Sequence, residues 1–151
     1  MLWNSSHLKI YGNCLQNDVL DGFITNDNQV LKMDVINVKE KFGLFSDHWS
    51  PRIIGQLNGQ DVKIAKVKGE FIWHNHKDED ELFYIIKGSL KIDFEDGMRI
   101  LNEGDMLIIP KGVEHKPIAE EEVWLMLFEP QATKHTGEVV HELTVDSYKK
   151  I

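Results

Sequence analysis

Cysteine is all but missing from this chain: Cys14 is the only one among 151 residues, so neither an internal disulfide nor a thiolate metal cluster can form. Zinc ribbons and paired-thiol redox centres are excluded, and any metal must be held by nitrogen and oxygen. Long apolar runs are missing too. The longest, residues 82–86 and 123–128, fall far short of the roughly 20 residues that a membrane-spanning helix needs, so no membrane partner is expected. Positive charge is scarce, with 17 basic against 25 acidic residues and a net charge of −8, a balance that repels phosphate backbones and anionic lipids. Nucleic acid is therefore not an expected partner. The opening MLWNSSHLKIYGN lacks a basic stretch followed by an apolar one, so no secretory signal is read and a cytoplasmic location is expected.

What remains is a globular composition, 42% apolar and 28% charged, in a chain whose length buries about two-thirds of its unfolded surface as one domain. No stretch of the sequence recurs, which sets aside solenoids and propellers. Residues 1–36 are polar, with asparagine at 4, 13, 17, 26 and 28, and are expected to form an N-terminal arm or lead-in to a single domain over 37–151. Asn37 and Glu40 have the spacing of a helix N-cap, and Val38, Phe42 and Phe45 form one apolar stripe, which predicts a short helix over 38–45. From Arg52 onward, short alternating runs separated by turn residues announce an all-β sandwich or barrel, with its core at about 52–129. Asn58-Gly59 and Asp96-Gly97 read as tight hairpin turns. Val62 and Ile64 share one face while Ala65 and Val67 continue on the other, so a bulge is expected near 64 and 65. Residues 82–86, 106–109 and 123–128 are apolar on both faces, as strands covered on both sides would be, and residues 144–151 read as helical.

Three of the seven histidines make a pattern with one glutamate. His74 and His76 stand two apart in the extended run Phe71-Ile72-Trp73-His74-Asn75-His76, so both imidazoles emerge on one face. After a charged turn over 77–80, Glu81 opens the next apolar strand, which can return its carboxylate to the histidines; His115 arrives from a later hairpin. Three imidazoles and one carboxylate suit iron, manganese, nickel, cobalt, copper or zinc, and leave positions on a six-coordinate ion for water or substrate. Taken singly, each residue has a plainer reading, as a hydrogen-bonded His-x-His pair, a solvated strand end or a loop histidine. No other acidic residue or histidine has a spacing that sets it in the interior, so no second general base is named. His7, His48, His135 and His141 read as surface or hydrogen-bonded residues, and Lys87, Arg99 and Lys111 as solvated. Phe71, Trp73, Phe83, Trp124, Met126 and Phe128 read first as core and only second as cavity lining.

Glycines and prolines tie the four residues together. Gly69, His74, His76, Glu81 and Gly88 resemble the first motif of the cupin superfamily, and Gly104, Pro110, Gly112 and His115 resemble the second. Two departures stand out: four residues rather than five separate Gly69 from His74, and Ala119 replaces the asparagine that usually ends the second motif. Neither position supplies a metal ligand in the family. The run from Trp49-Ser50-Pro51 to Asn58, the run from Glu70 to His74, and Glu129-Pro130 are similar to small single-domain bacterial cupins described as mannose-6-phosphate isomerase-like.

The resemblance implies a jelly-roll β-barrel of the cupin kind with short flanking helices. It also implies one divalent transition metal held by His74, His76, Glu81 and His115, and a homodimer. The functional expectation is a metal-binding cupin acting on a small polar metabolite by isomerase-like or dioxygenase-like chemistry. Its alternative is a non-catalytic module that binds or senses a metabolite or sugar; a purely structural metal site is the third reading.

Overall fold

In the computed structural model, the described residues are 22–24, 30–32, 34–131, 133–145 and 147–151. Two compact units divide the chain at residues 35 and 36. In the first, β1 (Gly22–Ile24) and β2 (Val30–Lys32) form an antiparallel hairpin with Phe23 opposite Leu31. In the second, α1 (Val38–Phe42) starts where expected: Glu40 N–H donates to Asn37 Oδ1 at 3.2 Å, and Asn37 Nδ2 donates back to Glu40 Oε1 at 3.0 Å. The first bond satisfies one of the backbone donors that a helix start leaves unpaired, and the second holds the Asn37 side chain in place. The helix is shorter than the predicted 38–45, because the chain closes it at Gly43: Gly43 N–H donates to Glu40 O and Leu44 N–H to Lys41 O.

The strands of this unit follow the turn residues. β3 (Arg52–Leu57) and β4 (Gln60–Glu70) are joined by Asn58-Gly59, whose φ angles of 51° and 78° make the two-residue reversal that the pair predicts. β5 (Glu81–Lys87) passes through Gly88 into β6 (Ser89–Phe94), and β6 reverses at Asp96-Gly97 into β7 (Gly97–Asn102). Next come β8 (Met106–Ile109), the 16-residue β9 (His115–Pro130) and β10 (Lys149–Lys150). The resulting eight-stranded sheet runs β10-β3-β4-β9-β5-β8, with β6 pairing β9 and β7 outside β6. This mixed, mostly antiparallel arrangement is typical of the cupin jelly roll. β9 organises it: its first residues pair β6 and its later ones lie between β4 and β5. The strands thereby fold over a shared core of Ala65, Val67, Phe83, Ile85, Leu90, Ile92, Leu101, Ile109, Val123, Leu125 and Leu127.

Two expectations fail for reasons that lie in the packing. No bulge falls at 64 and 65: β4 keeps unbroken register with β9 from Gln60 to Val67, and the register shifts lie between Ile53 and Gly55 and between Val67 and Gly69. β4 is apolar on both faces because α1 covers the outer one. There Phe42, Ile54 and Ile64 are buried together, and Phe42 stacks on Trp124 at 4.7 Å between ring centroids. The second failure is residues 144–151, which contain no helix among the described residues. Lys149 and Lys150 instead pair in parallel with Arg52 and Ile53, and Ile151 N–H donates to Ile53 O at 3.1 Å. Without β10, β3 would be a sheet edge with unpaired backbone groups, and satisfying them outweighs a weak helical pattern. Among the described residues, no helix is long and apolar enough to cross a membrane.

Candidate metal centre

Long-range backbone pairing brings His115 and the turn before it to the His-x-His segment. His74 and His115 exchange hydrogen bonds, His74 N–H to His115 O at 3.1 Å and His115 N–H to His74 O at 3.0 Å. Gly112 N–H donates to His76 O at 2.7 Å, which ties the second motif's turn to the His-x-His segment. Glu81 opens β5 and His115 opens β9, both facing the interior. All four side chains are buried, and their ligating atoms lie within 4.8 Å of one another.

Backbone carbonyls decide which ring nitrogens remain available. His74 Nδ1 lies 3.1 Å from Ile72 O and His115 Nδ1 lies 3.0 Å from Val113 O. A carbonyl only accepts, so each Nδ1 carries the proton and each Nε2 keeps its lone pair for a metal. His76 Nε2 lies 3.1 Å from Glu81 Oε2. His115 Nε2 is 3.4 Å from the same oxygen, buried and without a hydrogen bond. Two such lone-pair atoms repel each other in a buried site, and a cation between them, a proton or a metal ion, turns the contact attractive. The donor set therefore fits a single divalent transition metal.

Electrostatics of the cluster agree with that fit. Burial first, then the neighbouring His115, lowers His74 to about 4, so its imidazole is neutral near pH 7. Burial would lower His76 as well, but the hydrogen bond and charge of Glu81 outweigh it and raise this histidine above its ordinary 6.5. Burial likewise works to raise Glu81, and its contacts with His115 and His76 overcome it, holding the carboxyl well below the usual range. Glu81 is thus an anion ready to bind a cation.

Other interior polar residues escaped the sequence analysis. Lys63, Asp61 and Glu129 are buried, and Lys63 Nζ donates to Glu129 Oε1 at 2.8 Å with both side chains fully enclosed. Period-two spacing was the available signal: Asp61 and Lys63 share the face of Ala65 and Val67, and Glu129 shares that of Leu125 and Leu127. His135 is buried and hydrogen-bonded, its Nε2 2.8 Å from Leu143 O. Burial chiefly, with the Glu81 charge next, pushes Glu129 up to about 7 against the opposing pull of Lys63. Of the aromatics, Phe71 and Phe83 border a cavity of about 30 Å³ beside His74, Glu81 and His135. Trp124 and Met126 instead pack beneath α1, and Trp73 is 44% exposed.

Fold and cluster together define a cupin, and the chain belongs to that family: the family model described as a cupin domain matches residues 61–136. The chain is 52% identical to a cupin-2 domain containing protein from Shewanella frigidimarina, with 64% of this chain and 95% of that one covered and a TM-score of 0.64. A protein from Neisseria meningitidis is 31% identical, over 65% of this chain and all 100% of that one, with a TM-score of 0.59. The uncharacterized protein YdbB of Bacillus subtilis is 42% identical over 80 residues, which covers 52% of this chain and 65% of that relative, a little under two-thirds of its length. The buried cluster of His74, His76, Glu81 and His115 offers three imidazoles and one carboxylate to a single metal ion.

Proposed function

We propose that His74, His76, Glu81 and His115 hold one divalent transition metal, and that the protein is a cytoplasmic metal-dependent enzyme acting on a small polar metabolite by isomerase-like or dioxygenase-like chemistry. The observation that carries this reading is the His115 Nε2 lone pair facing Glu81 Oε2 at 3.4 Å in a buried site. A bound metal supplies Lewis acidity and open positions for water, dioxygen or substrate. The chain's own part is to fix the imidazoles: the carbonyls of Ile72 and Val113 hold the Nδ1 protons of His74 and His115. The apolar walls, among them Phe71, Phe83, Leu125 and Leu127, keep bulk water from the same place. Residues 37–151 form its single domain in this reading, and the sheet closes as a jelly-roll barrel.

The test is elemental analysis of protein purified without added metal, followed by incubation of the same sample with a metabolite mixture. Glu81→Gln should then change turnover of a converted metabolite much more than its binding, because charge at the metal acts on the transition state. A ligand that binds the loaded protein yet returns chemically unchanged after long aerobic incubation moves the reading to a binding module.

Metal uptake should also release protons. The apo protein holds a proton on His76 up to a pH above 6.5, whereas a metal-bound imidazole carries none on the ligating atom, so affinity falls as pH drops through that raised value. Calorimetry at pH 6 in two buffers of different ionisation enthalpy should report net proton release. Equal heats in both would contradict it.

We also propose a homodimer. β8 ends the sheet, and Met98, Ile100, Met106 and Ile108 on β7 and β8 are exposed apolar side chains, a surface that a second copy would cover. Light scattering should give twice 17.5 kDa, and Ile108→Glu should halve it. A monomeric parent protein at micromolar concentration would refute the dimer.

A further inference from the structure

Among the described residues, three buried side-chain polar atoms make no hydrogen bond: His115 Nε2, Glu129 Oε2 and Thr133 Oγ1. The first belongs to the four-residue cluster. The other two belong to a single polar element that the metal reading leaves unused. Lys63 Nζ donates to Glu129 Oε1 at 2.8 Å and to the Thr133 carbonyl at 3.4 Å, and stands 3.6 Å above the Tyr148 ring. Tyr148 Oη donates to the same Thr133 carbonyl at 3.2 Å. Glu129 is therefore held through Oε1 and Thr133 through its carbonyl, not through the two unpartnered atoms. Buried polar atoms are normally partnered, and leaving them empty is costly. Neither atom serves the sheet.

The register sets this element beside the cluster. Leu82 pairs Phe128, so one step further along the same antiparallel register Glu81 and Glu129 face each other on β5 and β9, both buried. Facing residues on neighbouring strands have Cβ atoms about 4.5–5.5 Å apart. On β9's other side, Glu129 pairs Asp61, whose Oδ1 accepts from Gln56 Nε2 at 2.8 Å. A row of three buried carboxylates, Asp61, Glu129 and Glu81, thus meets the single ammonium of Lys63. That balance disfavours a carboxylate or phosphate at this place. Glu129 Oε2 offers an acceptor, and Thr133 Oγ1 can donate as well as accept. An alcohol group is the chemistry that suits either atom, since it can give its proton to the carboxylate and accept from the threonine.

We propose that Glu129 Oε2 and Thr133 Oγ1 form a recognition element for an alcohol hydroxyl on the small molecule that the neighbouring cluster binds, an inference that rests on the metal reading above. The ligand class is a hydroxylated small molecule with one metal-binding oxygen group and a hydroxyl a few atoms away.

The experiment compares propionate with 3-hydroxypropionate as probes on protein loaded with cobalt(II), with cobalt content measured on the same sample. Cobalt-band absorption should show the hydroxy acid binding about tenfold tighter or more, the worth of a hydrogen bond to a charged group. Glu129→Gln and, independently, Thr133→Val should each cut that ratio to within a few-fold, and Thr133→Val should leave cobalt and propionate affinity unchanged. Thr133→Val keeps the shape of the side chain and leaves the Lys63 pair intact, so it guards against a folding defect in the glutamate variant. Equal affinities in the parent protein, an unchanged ratio in Thr133→Val, or binding of neither acid by cobalt-loaded protein would each overturn the proposal. Failure to load cobalt at all would instead remove the metal reading beneath it.

Discussion

Replacing His76 by alanine is expected to strip the protein of its metal. The parent protein should hold about one transition-metal ion per chain, because four donors converge within 4.8 Å in a buried place. Losing a partner that only orients a ligand already costs roughly 10–100-fold in affinity, so losing a ligating imidazole should cost more than about 100-fold. His76 also stands next to the carboxylate, with its Nε2 3.1 Å from Glu81 Oε2, so its removal disturbs the anionic ligand as well. Elemental analysis and competition against a chelator of known affinity measure the effect, and circular dichroism checks that the sheet persists. His141→Ala, which removes an exposed histidine, should leave metal content as it is. Equal metal content in the parent and His76→Ala proteins would show that the ion sits elsewhere.

The second large effect concerns Lys63. Its ammonium and the Glu129 carboxylate form an ion pair at 2.8 Å with neither side chain exposed. Removing one partner of such a pair strands the other, at a cost of about 3–5 kcal/mol, and for a chain of this size that lowers Tm by on the order of 10 °C. Lys63→Met should therefore be strongly destabilised in urea. The double variant Lys63→Met/Glu129→Leu should recover most of the loss, because an apolar pair of similar volume leaves no stranded charge. The penalty should also depend on pH. In the fold, burial followed by the Glu81 charge lifts Glu129 from 4.5 to about 7, so its contribution to stability is full below 4.5 and is lost as pH rises through 7. Without Lys63 that lift is larger. The penalty of Lys63→Met should accordingly grow from pH 4.5 to above 7, and a penalty independent of pH, or a double variant no better than the single one, would contradict the argument.

Three of the four cluster residues were readable from the sequence because their geometry is local, whereas His115, far along the chain, was placed by its likeness to the second cupin motif. His74 and His76 are two apart in an extended segment, so strand alternation alone sets both on one face, and Glu81 starts the strand that returns beside them. The hairpin at Asn58-Gly59 was readable for the same reason: its positive φ angles are a property of two residues, not of their surroundings. Asn37 with Glu40 marked the start of α1, since a cap is built within one helical turn.

The double-sided apolar character of β4 required knowledge of its neighbours. Val62 and Ile64 point outward, and only the packing of Phe42 on Trp124 makes that outer face dry; the same alternation without a covering helix reads as a bulge. Residues 149–150 became a strand because β3 offered an open edge to pair, which no local pattern in 144–151 announces. The interior placing of Lys63 with Glu129 is of the same kind. A lysine in strand alternation is ordinarily a solvated residue, and its burial is tolerable only because a strand 66 residues away brings a carboxylate to its ammonium. Composition, turn chemistry and the spacing of His74, His76 and Glu81 depend on near neighbours in the chain and could be read from it directly. The covered faces, the parallel closing strand and the buried ion pair depend on partners distant in sequence, and long-range packing alone set them.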